Sequence, residues 1–189
     1  FLPAMNGPGY YLLFAYMPTY LKTSLGEGHN FTMLQALLVN VCGLIAVVIM
    51  IPIMARLSDR IGRKPVLIVS AVAMALASYP MFLLITSGQM ALAIVGAMVM
   101  AVAFSGHAAT VHTVLLEMFP TTVRYSAYSI GFSLSTIFFG GSAPLIMTEI
   151  IKNTGNSMVP AFASIITAVI TLVSLAFVKE TKGMPLALD

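Results

Sequence analysis

The chain has 189 residues, of which 59% are hydrophobic and only 8% charged, with a formal net charge of +3. About a quarter of an ordinary soluble domain is charged, and the mean hydropathy here is +0.99. A water-soluble globule, a nucleic-acid-binding domain and a disulfide scaffold are all excluded, the last because Cys42 is the single cysteine. This is the composition of an integral membrane protein.

Six apolar stretches are long enough to cross a hydrocarbon core as helices, which takes about 20 residues. They run approximately over 1–21, 31–54, 66–86, 90–116, 126–151 and 158–178, with a tail over 179–189. None alternates with period two, so barrel strands are not expected. The chain opens on Phe1 with no basic leader, and reads as a segment whose upstream part lies elsewhere.

The first stretch contains Gly7-Pro8-Gly9, which cannot sustain a regular helical ladder. Broken backbone at membrane depth is tolerated against protein or a water-lined cavity, and in transporters it often marks the substrate path. Asn6, Tyr10, Tyr11 and Tyr16 are candidates to line such a path, and a kinked packing helix is the alternative. The second stretch places Asn40 at mid-span. Its amide needs a partner there, either a neighbouring helix or a substrate.

Between the second and third stretches lies Arg56-Leu57-Ser58-Asp59-Arg60-Ile61-Gly62-Arg63-Lys64-Pro65. Such a charge cluster must sit on a water side. Gly62 permits the turn, and Pro65 suits the first turn of the next helix. Asp59 falls at the carboxyl end of its own helix, where the dipole disfavours a negative charge, so it needs compensation. Glu117, Arg124 and Glu180 belong to the same membrane side. A network of Asp59, Arg60, Arg63 and Lys64 with these three would lock that end, and breaking it would let the helices part. Basic residues concentrate on this side, with Lys179 and Lys182 joining the corner and Arg124, whereas only Lys22 and Lys152 face the other. The positive-inside rule therefore predicts that both termini are cytoplasmic. The sequon Asn30-Phe31-Thr32 would lie outside, close against the membrane.

The third and sixth stretches carry only apolar and small hydroxyl residues apart from Tyr79, and read as supports. The fourth and fifth are richer in polar groups. The order special, mixed, plain then repeats, as expected of two three-helix repeats. His107, near the middle of its span, is an ionisable group inside the membrane and so a candidate substrate or proton site. His112 is a second, about 7.5 Å further along at the helical rise. Five-residue spacings turn His107, His112 and Glu117 about 140° apart, so they diverge and make no metal site within the helix. No phosphate-cradling loop and no nucleophile–base pair is found. An enzyme is not expected, and neither is a cofactor, with a proton as the coupling ion.

Three motifs then resemble those of the major facilitator superfamily. Leu57-Ser58-Asp59-Arg60-Ile61-Gly62-Arg63-Lys64 is similar to its loop signature, with Ala55 where the pattern opens on Gly. Glu117-Met118-Phe119-Pro120-Thr121-Thr122-Val123-Arg124 resembles the loop before its eleventh helix. Glu180-Thr181-Lys182-Gly183 resembles its tail motif, with Lys179 replacing Pro. The resemblance implies an all-α membrane fold: six helices, two inverted three-helix repeats, forming the carboxyl-terminal half of a twelve-helix transporter. Arg124-Tyr125-Ser126 and Phe138-Phe139-Gly140-Gly141-Ser142-Ala143-Pro144 look closest to metabolite:proton symporters, the group of proline/betaine, citrate, 2-oxoglutarate and shikimate carriers. Ser133, where many of these carry Asn, is a further candidate for the substrate path. The sugar porters share the loops but carry Trp signatures that this Trp-free chain lacks. By this likeness the first and fourth helices line a central cavity, and Asp59 would cap a helix of the missing half in one state of the cycle. The implied function is proton-coupled symport of a small polar metabolite by alternating access in the bacterial inner membrane. A sugar-porter-like carrier and a non-transporting sensor or scaffold are the alternatives. The implied partners are the substrate, membrane lipid and the amino-terminal half, with no nucleic acid.

Overall fold

The computed structural model describes residues 1–24 and 31–182. Asn30 of the sequon, Gly183 of the tail motif and the rest of the tail lie outside the described residues. The described residues are largely helical, and no strand occurs among them. Five helices are long and apolar enough to span a membrane: α1 (Met33–Ile61), α2 (Arg63–Ile85), α3 (Met90–Glu117), a span over Arg124–Thr154, and α6 (Val159–Phe177). The fourth span is interrupted. It consists of α4 (Arg124–Thr136), a π-helical turn Ile137–Gly141, and α5 (Ala143–Thr154).

Residues 2–24 form a sixth, irregular segment. A 3₁₀ turn, Leu2–Met5, leads into a π-helical stretch, Gly7–Tyr16, then one α turn, Met17–Thr19, and a further π turn, Tyr20–Ser24. Pro8 offers no N–H and the flanking glycines carry no side chain to define a rotamer, so the α ladder is not enforced. Neighbours hold the segment in place. The Met5 N–H donates to Thr171 Oγ1 at 3.2 Å, the Tyr16 hydroxyl lies 2.8 Å from Thr148 Oγ1, and Tyr20 Oη donates to the Ser157 carbonyl at 2.6 Å.

Helix α1 begins where its sequence supplies a capping box. Thr32 Oγ1 accepts the Gln35 N–H, and Gln35 Oε1 accepts the Thr32 N–H. It continues through Pro52 and the basic cluster as far as Ile61, so the corner is helix on both sides of a single residue, Gly62. Helices α1 and α2 both pack along α3, and α2 also packs on α6. Small residues permit the close approach, with Ala36, Ala71, Ala93, Ala101, Ala161 and Ala168 fully buried. The two plain helices, α2 and α6, are thus neighbours, and large apolar side chains such as Leu76 and Val173 remain on their outer faces, as lipid contact requires.

The two irregular stretches cross each other. A Cβ on Gly7 would come within 2.2 Å of the Phe139 carbonyl oxygen, and one on Gly140 within 2.7 Å of the Tyr11 ring. Only residues without a side chain can bring these backbones so close. The crossing places Tyr10 and Tyr11 beside the fourth span.

Candidate functional site

A cavity of about 410 Å³ opens beside this crossing. The irregular segment contributes Asn6, Tyr10, Tyr11 and Phe14; α1 contributes Leu44, Val47 and Ile51; α3 contributes Phe104, Ala108 and His112; and α4 contributes Phe132 and Thr136. Among these lining residues there is no Asp, Glu, Lys or Arg. The polar groups are an amide, an imidazole and three hydroxyls, and rings supply much of the rest.

The rings form two connected sets. Tyr10 meets Tyr11 edge-on at 5.6 Å and Phe14 at 5.9 Å. Phe14 lies 6.3 Å from Phe104, which in turn sits 6.1 Å from His107. On the facing helix Phe132 lies 5.0 Å from the His112 ring and stacks on Tyr128 at 13°. His112 Nδ1 is 3.0 Å from the Tyr128 hydroxyl. Edge-to-face and stacked pairs of this kind keep the wall rigid, while Tyr10 stays 54% exposed.

The sequence-predicted path residues divide. Asn6, Tyr10, Tyr11 and His112 come together on this cavity. His107 is fully buried one turn from Phe104, and neither ring nitrogen has a partner among the described residues. Asn40 donates through Nδ2 to the Phe14 carbonyl at 3.0 Å, supporting the π-helical stretch from α1. Ser133 is exposed and does not line the cavity. Thr136, one of the polar groups of the fifth stretch, lines it too, as do Phe14, Phe104 and Phe132, which sequence reasoning did not single out. Aromatic side chains in an apolar span look alike whether they face a cavity or a core; only the pairing of the two irregular stretches distinguishes them.

The charged corner is a second assembly at one end of the bundle. Gly62 has φ +116, and a Cβ there would lie 2.7 Å from Glu180 Oε2. Glu180 reaches back from the tail to accept the Arg63 N–H at 2.9 Å and the Lys64 N–H at 3.0 Å. These are the first two orphan donors of α2, and the third position is Pro65, which has none. Burial raises the Glu180 carboxyl, but backbone N–H bonds from Lys182, Arg63, Lys64 and Thr181 outweigh it and hold the group below its ordinary range. Lys64 Nζ donates to the Val178 carbonyl at 2.8 Å, capping the end of α6, and Lys182 Nζ donates to the Arg60 carbonyl at the end of α1. Arg63 pairs with Asp59 and, at 3.4 Å, with Glu117, whose other oxygen accepts from Thr181 Oγ1.

Asp59, Arg63, Lys64, Glu117 and Glu180 are therefore brought into one network. Arg60 takes part through its carbonyl. Arg124 stands apart, donating through Nε to the Phe119 carbonyl at 3.2 Å. Much of the network runs through backbone groups, which a sequence of charges does not display.

Comparison with known proteins decides the family. The family model described as sugar (and other) transporter matches residues 4–188. The chain belongs to that family. Membership agrees with the major facilitator resemblance carried by the three motifs. Among curated members the chain is 34% identical over 177 residues to the glycine betaine/proline/ectoine/pipecolic acid transporter OusA of Dickeya dadantii (strain 3937), covering 94% of this chain and 34% of that protein. It is 32% identical over 177 residues to the proline/betaine transporter of Escherichia coli (strain K12), with 94% and 34% covered. It is 32% identical over 183 residues to the ectoine/proline transporter ProP of Corynebacterium glutamicum, with 97% and 35% covered. The chain spans about a third of the length of the curated relatives it matches.

Proposed function

We propose that this chain is the carboxyl-terminal half of a twelve-helix secondary transporter for a small zwitterionic osmolyte of the proline/betaine kind. The observation that carries the reading is the cavity: ring-lined, polar in places, and without a formal charge among the described residues facing it. A strongly anionic substrate would leave its charge uncompensated there at a high desolvation cost. A zwitterion brings both charges itself, and its onium end is attracted to aromatic faces. The names of the relatives favour the same substrate class.

The rest of the reading follows from the family's architecture. The irregular segment is the sixth span, and the glycine crossing brings the first element of one three-helix repeat against the second element of the other. The corner lies in the cytoplasm by its Lys and Arg content, in the bacterial inner membrane. The other cavity wall belongs to the amino-terminal half, and alternating access rocks the two halves about the substrate. A proton gradient is the proposed energy source, by likeness to the metabolite:proton symporters.

The test is uptake of labelled glycine betaine and proline by the complete protein in proteoliposomes, with and without an inward proton gradient. Accumulation that collapses when the gradient is dissipated is the expected result. Binding without accumulation would replace this reading with a sensor on the same fold.

A further inference from the structure

The cavity's polar groups are not equally prepared to bind. Asn6, Tyr10, Tyr11 and Thr136 line it, but among the described residues no side-chain hydrogen bond fixes their orientation. His112 differs. Its ring is held on one side by Phe132 at 5.0 Å, and Nδ1 is engaged by the Tyr128 hydroxyl at 3.0 Å. Tyr128 itself does not line the cavity; it stacks behind, on Phe132. The imidazole has one other polar atom, Nε2. With the Tyr128 hydroxyl donating to Nδ1, the ring proton sits on Nε2, and the lining imidazole then offers an N–H donor.

We propose that His112 Nε2–H, positioned by Tyr128, binds the carboxylate of the transported zwitterion, while the Tyr10, Phe14 and Phe104 side of the cavity takes its onium end. This rests on the proposed osmolyte transport and assigns the two ends of the substrate to two walls. The assignment follows from the absence of Lys and Arg among the described lining residues. On this wall a carboxylate is met by neutral donors, and a preorganised donor loses least on binding. Tyr128 is a positioning residue and touches no substrate.

The experiment measures glycine betaine uptake by the complete carrier, with choline as competitor. Choline has the onium group and lacks the carboxylate. His112→Ala and Tyr128→Phe are expected to raise the KM for glycine betaine about tenfold, the scale of one hydrogen bond to a charged group. Inhibition by choline should be unchanged in both variants. His112→Gln, which restores an N–H donor, should recover part of the loss, and Tyr128→Phe keeps the stack on Phe132, so folding is preserved. An unchanged KM in both variants overturns the proposal, as does a parallel loss of choline inhibition. A wild-type carrier that choline does not inhibit overturns the onium assignment. Wild-type protein that moves neither glycine betaine nor proline overturns the proposed function, and this inference with it.

Discussion

The charged corner and the cavity of this bundle solve opposite problems. At the corner, charged side chains and helix ends are matched almost group for group: Glu180 caps α2, Lys64 caps α6, Lys182 caps α1, and Arg63 bridges two carboxylates. Only Arg63 Nε and Arg124 Nη2 are buried there without a partner among the described residues. Around the cavity the backbone is irregular, charge is absent from the described lining, and buried polar atoms such as Asn40 Oδ1 and both His107 nitrogens are left over. Satisfied groups fix a structure, whereas unsatisfied ones are available to a ligand or a second conformation. The contrast assigns rigidity to the corner and chemistry to the cavity.

The most severe way to break the contrast is Gly62→Ala. The left-handed φ and the contact with Glu180 together predict a loss of about 2–4 kcal/mol, read as a large drop in melting temperature of the purified complete protein. Glu180→Gln is expected to cost about 1–2 kcal/mol by weakening the cap. It also tests the pH dependence. Because the carboxyl is held below its ordinary range, its stabilisation is complete above the unfolded value and disappears as pH falls through the lowered one. The wild type should lose melting temperature as pH falls through and below the ordinary carboxylate range, and the Gln variant should lose less.

At the cavity, Tyr10→Ala should show the reverse signature. The side chain is half exposed, so melting is expected to hold while glycine betaine uptake falls by about tenfold at low substrate, near the scale of a desolvated cation–π contact. Asp59→Asn gives the smallest effect. Its pair with Arg63 is an exposed i,i+4 contact, worth about 0.5 kcal/mol, and Arg63 retains Glu117. A melting loss as large as that of Glu180→Gln would place Asp59, not the tail, at the centre of the corner.

The corner was legible in the sequence because charge has so few places to go in a membrane protein. Arg63, Lys64 and Glu117 could be grouped from their side of the membrane alone. What was hidden there is backbone: that Glu180 binds N–H groups, and that Arg60 contributes its carbonyl while Arg124 turns away to Phe119. The cavity was half legible. Gly7-Pro8-Gly9 announced an irregular segment and pointed to Tyr10 and Tyr11. Phe104 and Phe132 carry no such mark, since their role depends on which helix faces them. The partner of Gly7 lies at Phe139 and Gly140, far along the chain, and no local pattern connects the two.

The Glu180 cap also sets an order of assembly. Residues 62–65 leave the ribosome long before residue 180, so the start of α2 waits with its first N–H groups unmatched until the tail has been made and has folded back across the bundle. A chain arrested short of Glu180 carries every described membrane helix and still presents an uncapped, basic corner. Closure of that corner therefore depends on the tail that follows α6, and not on the helices alone.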